Sequence, residues 1–163
     1  MDRAHQPRRA GGRRGGRSLS EAIRRAREGD ADVVRCLLRE YADAIGVDLS
    51  FQDFDSEVAD PLGFYELVLL ADDGCVGLRR VDERTCEMKR LYVRATSRGG
   101  GLGRRLAEAV IDEARARGYE RMLLDTLPTM GAAQALYRSL GFRETEPYRH
   151  NPVPGATYME LLL

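Results

Sequence analysis

Arg98-Gly99-Gly100-Gly101-Leu102-Gly103 is the stretch that decides the fold. It follows the apolar run Leu91-Tyr92-Val93 and precedes a strongly helical segment. Four glycines in six positions at a strand-to-helix junction strip side chains from a helix N-terminus. The backbone N–H groups there are left free to cradle an anion.

Downstream, Leu102, Leu106, Val110 and Ala114 recur every four residues, which predicts a helix over about 101–117, ended by Gly118. Met122-Leu123-Leu124 reads as a buried strand. A second helix is expected over roughly 129–140, with Ala133, Leu136, Tyr137 and Leu140 on one face and Gly141 as its stop. Phe142 opens a further strand, and 157–162 closes the chain as another. Upstream, Asp30 is a candidate N-cap for a helix carrying Val33, Val34, Leu37, Leu38, Tyr41 and Ile45 on one stripe, with Gly46 as its stop. Residues 48–60 read as a loop with a short helix, broken by Pro61 and Gly63. Strands over 64–71 and 75–81 flank Asp72-Asp73-Gly74, a hairpin signal, and 85–93 forms the next strand. The order is that of a mixed α/β domain with helices packed on a central sheet.

Length and composition bound the rest. The chain has 163 residues, enough for one ordinary domain with a full core, placed at 19–163. Residues 1–18 are an Arg/Gly-rich leader with too little apolar surface to fold, expected to be disordered. An RNA-contacting role for this leader is disfavoured by its lack of interleaved aromatics. Zero net charge makes nucleic acid an improbable partner for the chain as a whole. No run approaches a membrane span and no signal-peptide core opens the chain, so a cytoplasmic protein without a membrane partner is expected. Cys36, Cys75 and Cys86 have no metal-ligand spacing and read as buried reduced thiols. His5 and His150 have no spacing partners, so no metal site is expected. Arginine supplies every basic residue except Lys89, a compositional bias that says little about mechanism by itself.

Two motifs point to a family. Arg98-x-x-Gly101-x-Gly103 resembles the (Gln/Arg)-x-x-Gly-x-(Gly/Ala) signature of the GNAT superfamily of N-acetyltransferases. Some thirty residues on, Ala135-Leu136-Tyr137-Arg138-Ser139-Leu140-Gly141-Phe142 resembles that family's second signature, in the correct order and spacing. The resemblance covers about residues 20–163. It implies a central, twisted, mostly antiparallel sheet of six to seven strands with about four flanking helices. It also implies an edge strand at 22–27, where local propensity alone reads helix.

The resemblance further implies acetyl-CoA as cofactor. Its pyrophosphate would lie on the N–H groups of Gly99, Gly100, Gly101, Leu102, Gly103 and Arg104, with charge-assisted bonds from Arg98 and Arg104. Its pantetheine arm would run between two diverging strands, against Leu91, Tyr92 and Val93. Tyr137 would lie near the cofactor sulfur and protonate the departing thiolate. Relatives often carry an asparagine seven residues before the tyrosine, and here that position is Met130.

An acceptor amine must lose a proton before it attacks. The resemblance implies Glu87 as the candidate general base, since several members of that family place a catalytic glutamate at this position, four residues before Leu91. Alternation predicts Glu87, Lys89, Leu91 and Val93 on one face, and Cys86, Met88, Arg90 and Tyr92 on the other. The competing reading for Glu87 is an ordinary ion pair with Lys89. The acceptor is an amine of a small molecule or a protein. In the resembling fold the segment that holds Asp53, Asp55, Glu57 and Asp60 with Phe51 and Phe54 usually walls the acceptor side. These residues would form either an acidic wall for a cationic acceptor or a solvated acidic loop, with Tyr148 and His150 as further candidates to reach the acceptor. A homodimer is compatible with the reading. The rival functional class is a non-catalytic acyl-CoA sensor on the same fold.

Overall fold

The computed structural model describes residues 22–163; the Arg/Gly-rich leader lies outside them. Seven strands form one sheet, in the order β1-β2-β3-β4-β5-β7-β6. They are β1 (Arg24–Arg25), β2 (Leu67–Ala71), β3 (Gly74–Arg80), β4 (Thr85–Val93), β5 (Arg121–Thr126), β6 (Arg143–Glu144) and β7 (Thr157–Leu162). All neighbours are antiparallel except β4 and β5, which run parallel. Among the described residues the α-helices are α1 (Ala31–Ile45), α2 (Phe54–Ala59), α3 (Pro61–Phe64), α4 (Leu102–Ala116) and α5 (Gly131–Ser139). No helix of the described residues is long and apolar enough to cross a membrane.

Each face of the sheet is covered, and β2 shows why its five residues are all buried. Leu67, Leu69 and Ala71 face the cluster under α4, while Val68 and Leu70 face α1. The predicted four-residue stripe of α4, Leu102, Leu106, Val110 and Ala114, is fully packed against Val76, Leu78 and Met122. Each leucine and valine among them contributes about 1.5–3 kcal/mol by leaving water. Val34, Leu37 and Leu38 of α1 do the same on the other face. Val33, placed on the same stripe by sequence, is 48% exposed instead. Gly46 ends α1 at φ +63, a left-handed conformation that glycine adopts without strain.

Several local expectations shift. The edge strand is real but short: β1 pairs only Arg24 and Arg25 with Leu70 and Leu69. Pro61 does not break the chain there but starts α3, where its missing N–H costs nothing, and Asp60 accepts from Gly63 N. Asp30 stands at the N-cap of α1 without capping it, since its carboxylate takes Arg27 N and the Arg24 guanidinium. Cys36 is exposed, whereas Cys75 and Cys86 are buried and their thiols are pushed up to about 12 by desolvation.

Candidate functional site

The site is built on two irregularities of β4. The first is a bulge. Cys75 pairs with Tyr92 but Gly77 pairs with Lys89, so β4 spends one residue more than β3 over this interval. Arg90 absorbs it at φ +56, an unusual conformation for a non-glycine residue. The phase of the strand therefore slips at Arg90. Cys86 and Met88 face the α4 core, and beyond the bulge Leu91 and Val93 face it as well, with Tyr92 on the α1 side. The alternation expected from sequence, with Glu87 and Lys89 sharing a face with Leu91 and Val93, is overturned. A period-two reading cannot see an inserted residue.

A buried ion pair holds the bulge. Arg90 Nε and Nη2 each donate to a Glu57 carboxylate oxygen at 2.9 Å, with side-chain exposures of 4% and 0%. The Tyr65 hydroxyl also donates to Glu57. The Arg90 guanidinium lies 5.3 Å from the Tyr41 ring centroid and 5.5 Å from that of Phe54.

The second irregularity is a splay. β4 and β5 pair only at Thr85↔Arg121, Cys86↔Met122 and Glu87↔Leu123, and then part. The opening is a cleft lined by Met88, Lys89, Leu91, Leu124, Asp125 and Tyr137 among others. Tyr137 is 6% exposed, stacks edge-on against Phe142 at 5.8 Å between centroids, and is held above the ordinary phenol range by burial. It therefore keeps its proton at neutral pH.

Beyond the end of β4, before α4, lies the glycine loop. Gly99 and Gly101 have φ of +84 and +81, and an added Cβ at either would meet no atom within 4 Å. Gly101 is the N-cap of α4 and supplies no side chain to its first-turn amides. Such an N-terminus suits a phosphate, whose oxygens would meet free N–H groups and the positive end of a 15-residue helix. Arg98 and Arg104 are partly engaged elsewhere. Arg98 Nε donates to Val93 O at 2.9 Å, and Arg104 Nη2 to Ser139 Oγ at 2.6 Å.

On the α1 side of β4 the cleft continues into a second hollow, lined by Ile45, Leu49, Phe51, Gln52, Asp125 and Asn151 among others. Gln52 links its lining to a charge network around Lys89 and Glu87. Glu87 is 1% exposed; its Oε1 accepts from Tyr148 at 3.0 Å and from Arg149, and lies 3.8 Å from Lys89 Nζ. Its Oε2 is buried without a partner among the described residues. Burial and the facing Glu87 carboxylate hold Tyr148 well above the phenol range, so it remains a donor. Asp125 Oδ2 accepts from Gln52 at 2.9 Å and Asn151 at 3.0 Å. Lys89 Nζ is 3.4 Å from Gln52 Oε1, and desolvation pulls its ammonium down to about 8.

The acidic wall expected at 53–60 does not form. Glu57 is consumed by Arg90, Asp53 accepts from Ser56 Oγ, Asp60 holds α3, and Asp53, Asp55 and Asp60 are all exposed. Phe51 does line the second hollow, and Phe54 packs under Arg90 instead. His150 is exposed, while its neighbours Tyr148 and Arg149 reach Glu87. Asp125, Arg149 and Asn151 were not foreseen. Asp125 carried one weak signal, an acid directly after the apolar run Met122-Leu123-Leu124.

Comparison with known proteins agrees with this architecture. The Acetyltransferase (GNAT) family pattern matches residues 31–142. An uncharacterized N-acetyltransferase of Schizosaccharomyces pombe is 43% identical over 81% of this chain and 88% of its own. An acetyltransferase of Streptococcus agalactiae superposes with a TM-score of 0.71 at 21% identity, covering 89% of this chain and 99% of that one. A GNAT family acetyltransferase of Elizabethkingia anophelis, solved with acetyl-CoA bound, superposes with a TM-score of 0.65 at 22% identity, covering 89% and 99%. The chain belongs to the GNAT acetyltransferase family.

Proposed function

We propose that the chain transfers the acetyl group of acetyl-CoA to an amine by direct attack, with cofactor and acceptor bound together. The observation that carries this reading is the parting of β4 and β5 after Glu87 and Leu123. It opens a cleft that is lined by a buried tyrosine and shares Tyr41, Arg90, Asp125 and Met130 with the charged hollow. From that cleft β4 runs on towards the glycine loop at the α4 N-terminus.

Acetyl-CoA supplies the thioester carbonyl. The amides of residues 99–104 and the α4 N-terminus bind the diphosphate, helped by the N–H groups that Arg98 and Arg104 still have free. Past the last β4–β5 pair, the freed backbone edge near Leu91, Tyr92 and Val93 offers N–H and C=O groups to the pantetheine arm and one N–H to the carbonyl oxygen. Met130 borders both parts of the cleft and contributes apolar contact where relatives have an amide. Tyr137 serves as the acid. Its phenol is raised by burial, but a thiolate formed beside it is raised by the same burial, as the buried thiols at about 12 illustrate. Proton donation between the two is then close to balanced.

Glu87 lies on the acceptor side of β4, so its part in removing the amine proton is played with Lys89. The carboxylate fixes the ammonium position and its own Oε1 is anchored by Tyr148 and Arg149. Neither Cys75 nor Cys86 is placed as a nucleophile, since both are protonated and buried away from the cleft lining. The test is to follow free thiol release from acetyl-CoA against a panel of free amino acids, alkyl and aryl amines, polyamines and peptides. Thiol release matched by N-acetylated product supports the reading. Tight coenzyme A binding with no product from any amine would reverse it in favour of a sensor.

A further inference from the structure

Of the 26 basic residues in this chain, Lys89 is the only lysine. Wherever a positive charge alone is needed, the chain uses arginine, including in its buried pair with Glu57. A guanidinium cannot give up its proton in the physiological range, whereas a buried ammonium can. The one exception stands in the cleft. Lys89 is 4% exposed, lines the gap together with Leu91 and Tyr137, and has Glu87 and Gln52 as its near neighbours.

We propose that Lys89 Nζ is the atom that takes the proton from the ammonium of the acceptor. This rests on the acetyl-transfer reading above. The acceptor N–H bond breaks, its electron pair stays on the acceptor nitrogen, and the Lys89 lone pair binds the proton. The acceptor amine is then neutral and nucleophilic, and Lys89 passes its proton to solvent through the open hollow before the next cycle.

The surroundings tune this exchange. Desolvation brings the ammonium to about 8, within reach of neutral pH, and Arg90 and Arg149 push the same way. Glu87 on the same strand and Glu57 on α2 oppose them. Tyr41 on α1, Asp125 on β5 and Tyr137 on α5 also border the space around Lys89. An arginine at position 89 would keep the charge and lose the function.

The single lysine makes the test direct. Protein grown on 13C-labelled lysine has one lysine spin system, and its Cε shift is followed with pH. The expected transition lies near pH 8, and it moves lower in Glu87→Gln. In parallel, thiol release with the fastest amine of the panel is measured at pH 7 for Lys89→Arg and Lys89→Met. Both should fall on the order of 10²-fold while coenzyme A affinity, read by calorimetry, is retained. A lysine titrating near ~10.4 overturns the proposal. So does a Lys89→Arg enzyme as fast as wild type with the panel amine. Wild-type protein that fails to bind coenzyme A, with Lys89 still titrating near 8, refutes the acetyl-transfer reading itself and the proposal with it.

Discussion

Replacing Glu57 by glutamine tests whether the Arg90 ion pair holds the β4 bulge. The change keeps side-chain volume but removes the one carboxylate bonded, among the described residues, to Arg90, whose guanidinium is 4% exposed and cannot neutralise itself by losing a proton. Two charge-assisted bonds at 2.9 Å and the Tyr65 contact are weakened together. Breaking one partner of such a buried pair costs about 3–5 kcal/mol. For a chain of this size, that lowers Tm by on the order of 10 °C. Urea and thermal unfolding measure the loss. The double variant Glu57→Leu with Arg90→Leu removes both charges, keeps the backbone strain at φ +56 unchanged, and should recover most of it. A Glu57→Gln protein within about 1 kcal/mol of wild type would refute the reasoning, because the pair would then behave like an exposed one. So would a double variant that falls further than the single one.

Three further outcomes follow from the same geometry. Tyr137→Phe should lower the turnover rate by roughly 10²-fold or more while leaving coenzyme A affinity within twofold of wild type, about 0.4 kcal/mol; unchanged turnover would remove Tyr137 as the acid. Gly101→Ala places a Cβ at φ +81, costing about 1–2 kcal/mol in unfolding measurements; it should also weaken coenzyme A binding in calorimetry, and a variant that binds as well as wild type would contradict the placement of the diphosphate. For Lys89 the folded value of about 8 lies below the ordinary ~10.4, so the unfolded chain binds more protons between the two. Stability contributed by this group therefore rises with pH across that window, by roughly 3 kcal/mol. Wild-type urea stability minus that of Lys89→Met should therefore rise from pH 7 to pH 10.

Much of this was legible in sequence because the signals are local. The stripe Leu102, Leu106, Val110, Ala114 and the run 157–162 appear where periodicity puts them. The glycine loop and Tyr137 could be named because two motifs fix them relative to a strand and a helix. The acceptor side was not legible. The proposed acceptor side draws on Gln52, the Lys89-Arg90 pair, Asp125 and Arg149, stretches far apart in the chain and brought together by long-range hydrogen bonds. The bulge at Arg90 was invisible for a different reason. The residue there is held by Glu57, 33 residues earlier in the chain, and no alternation rule registers a partner at that distance. Glu57 itself misled, because an acid among acids reads as surface until the arginine that buries it is known.

The central claim is that the cofactor lies across the glycine loop and into the parted β4–β5 edge. Titrating coenzyme A into 15N-labelled protein tests it most directly. The largest amide shifts are expected at residues 99–104 and 91–93, with Tyr137 perturbed through its ring resonances. Shifts confined to the hollow around Gln52 and Asn151, or absent from the α4 N-terminus, would contradict it.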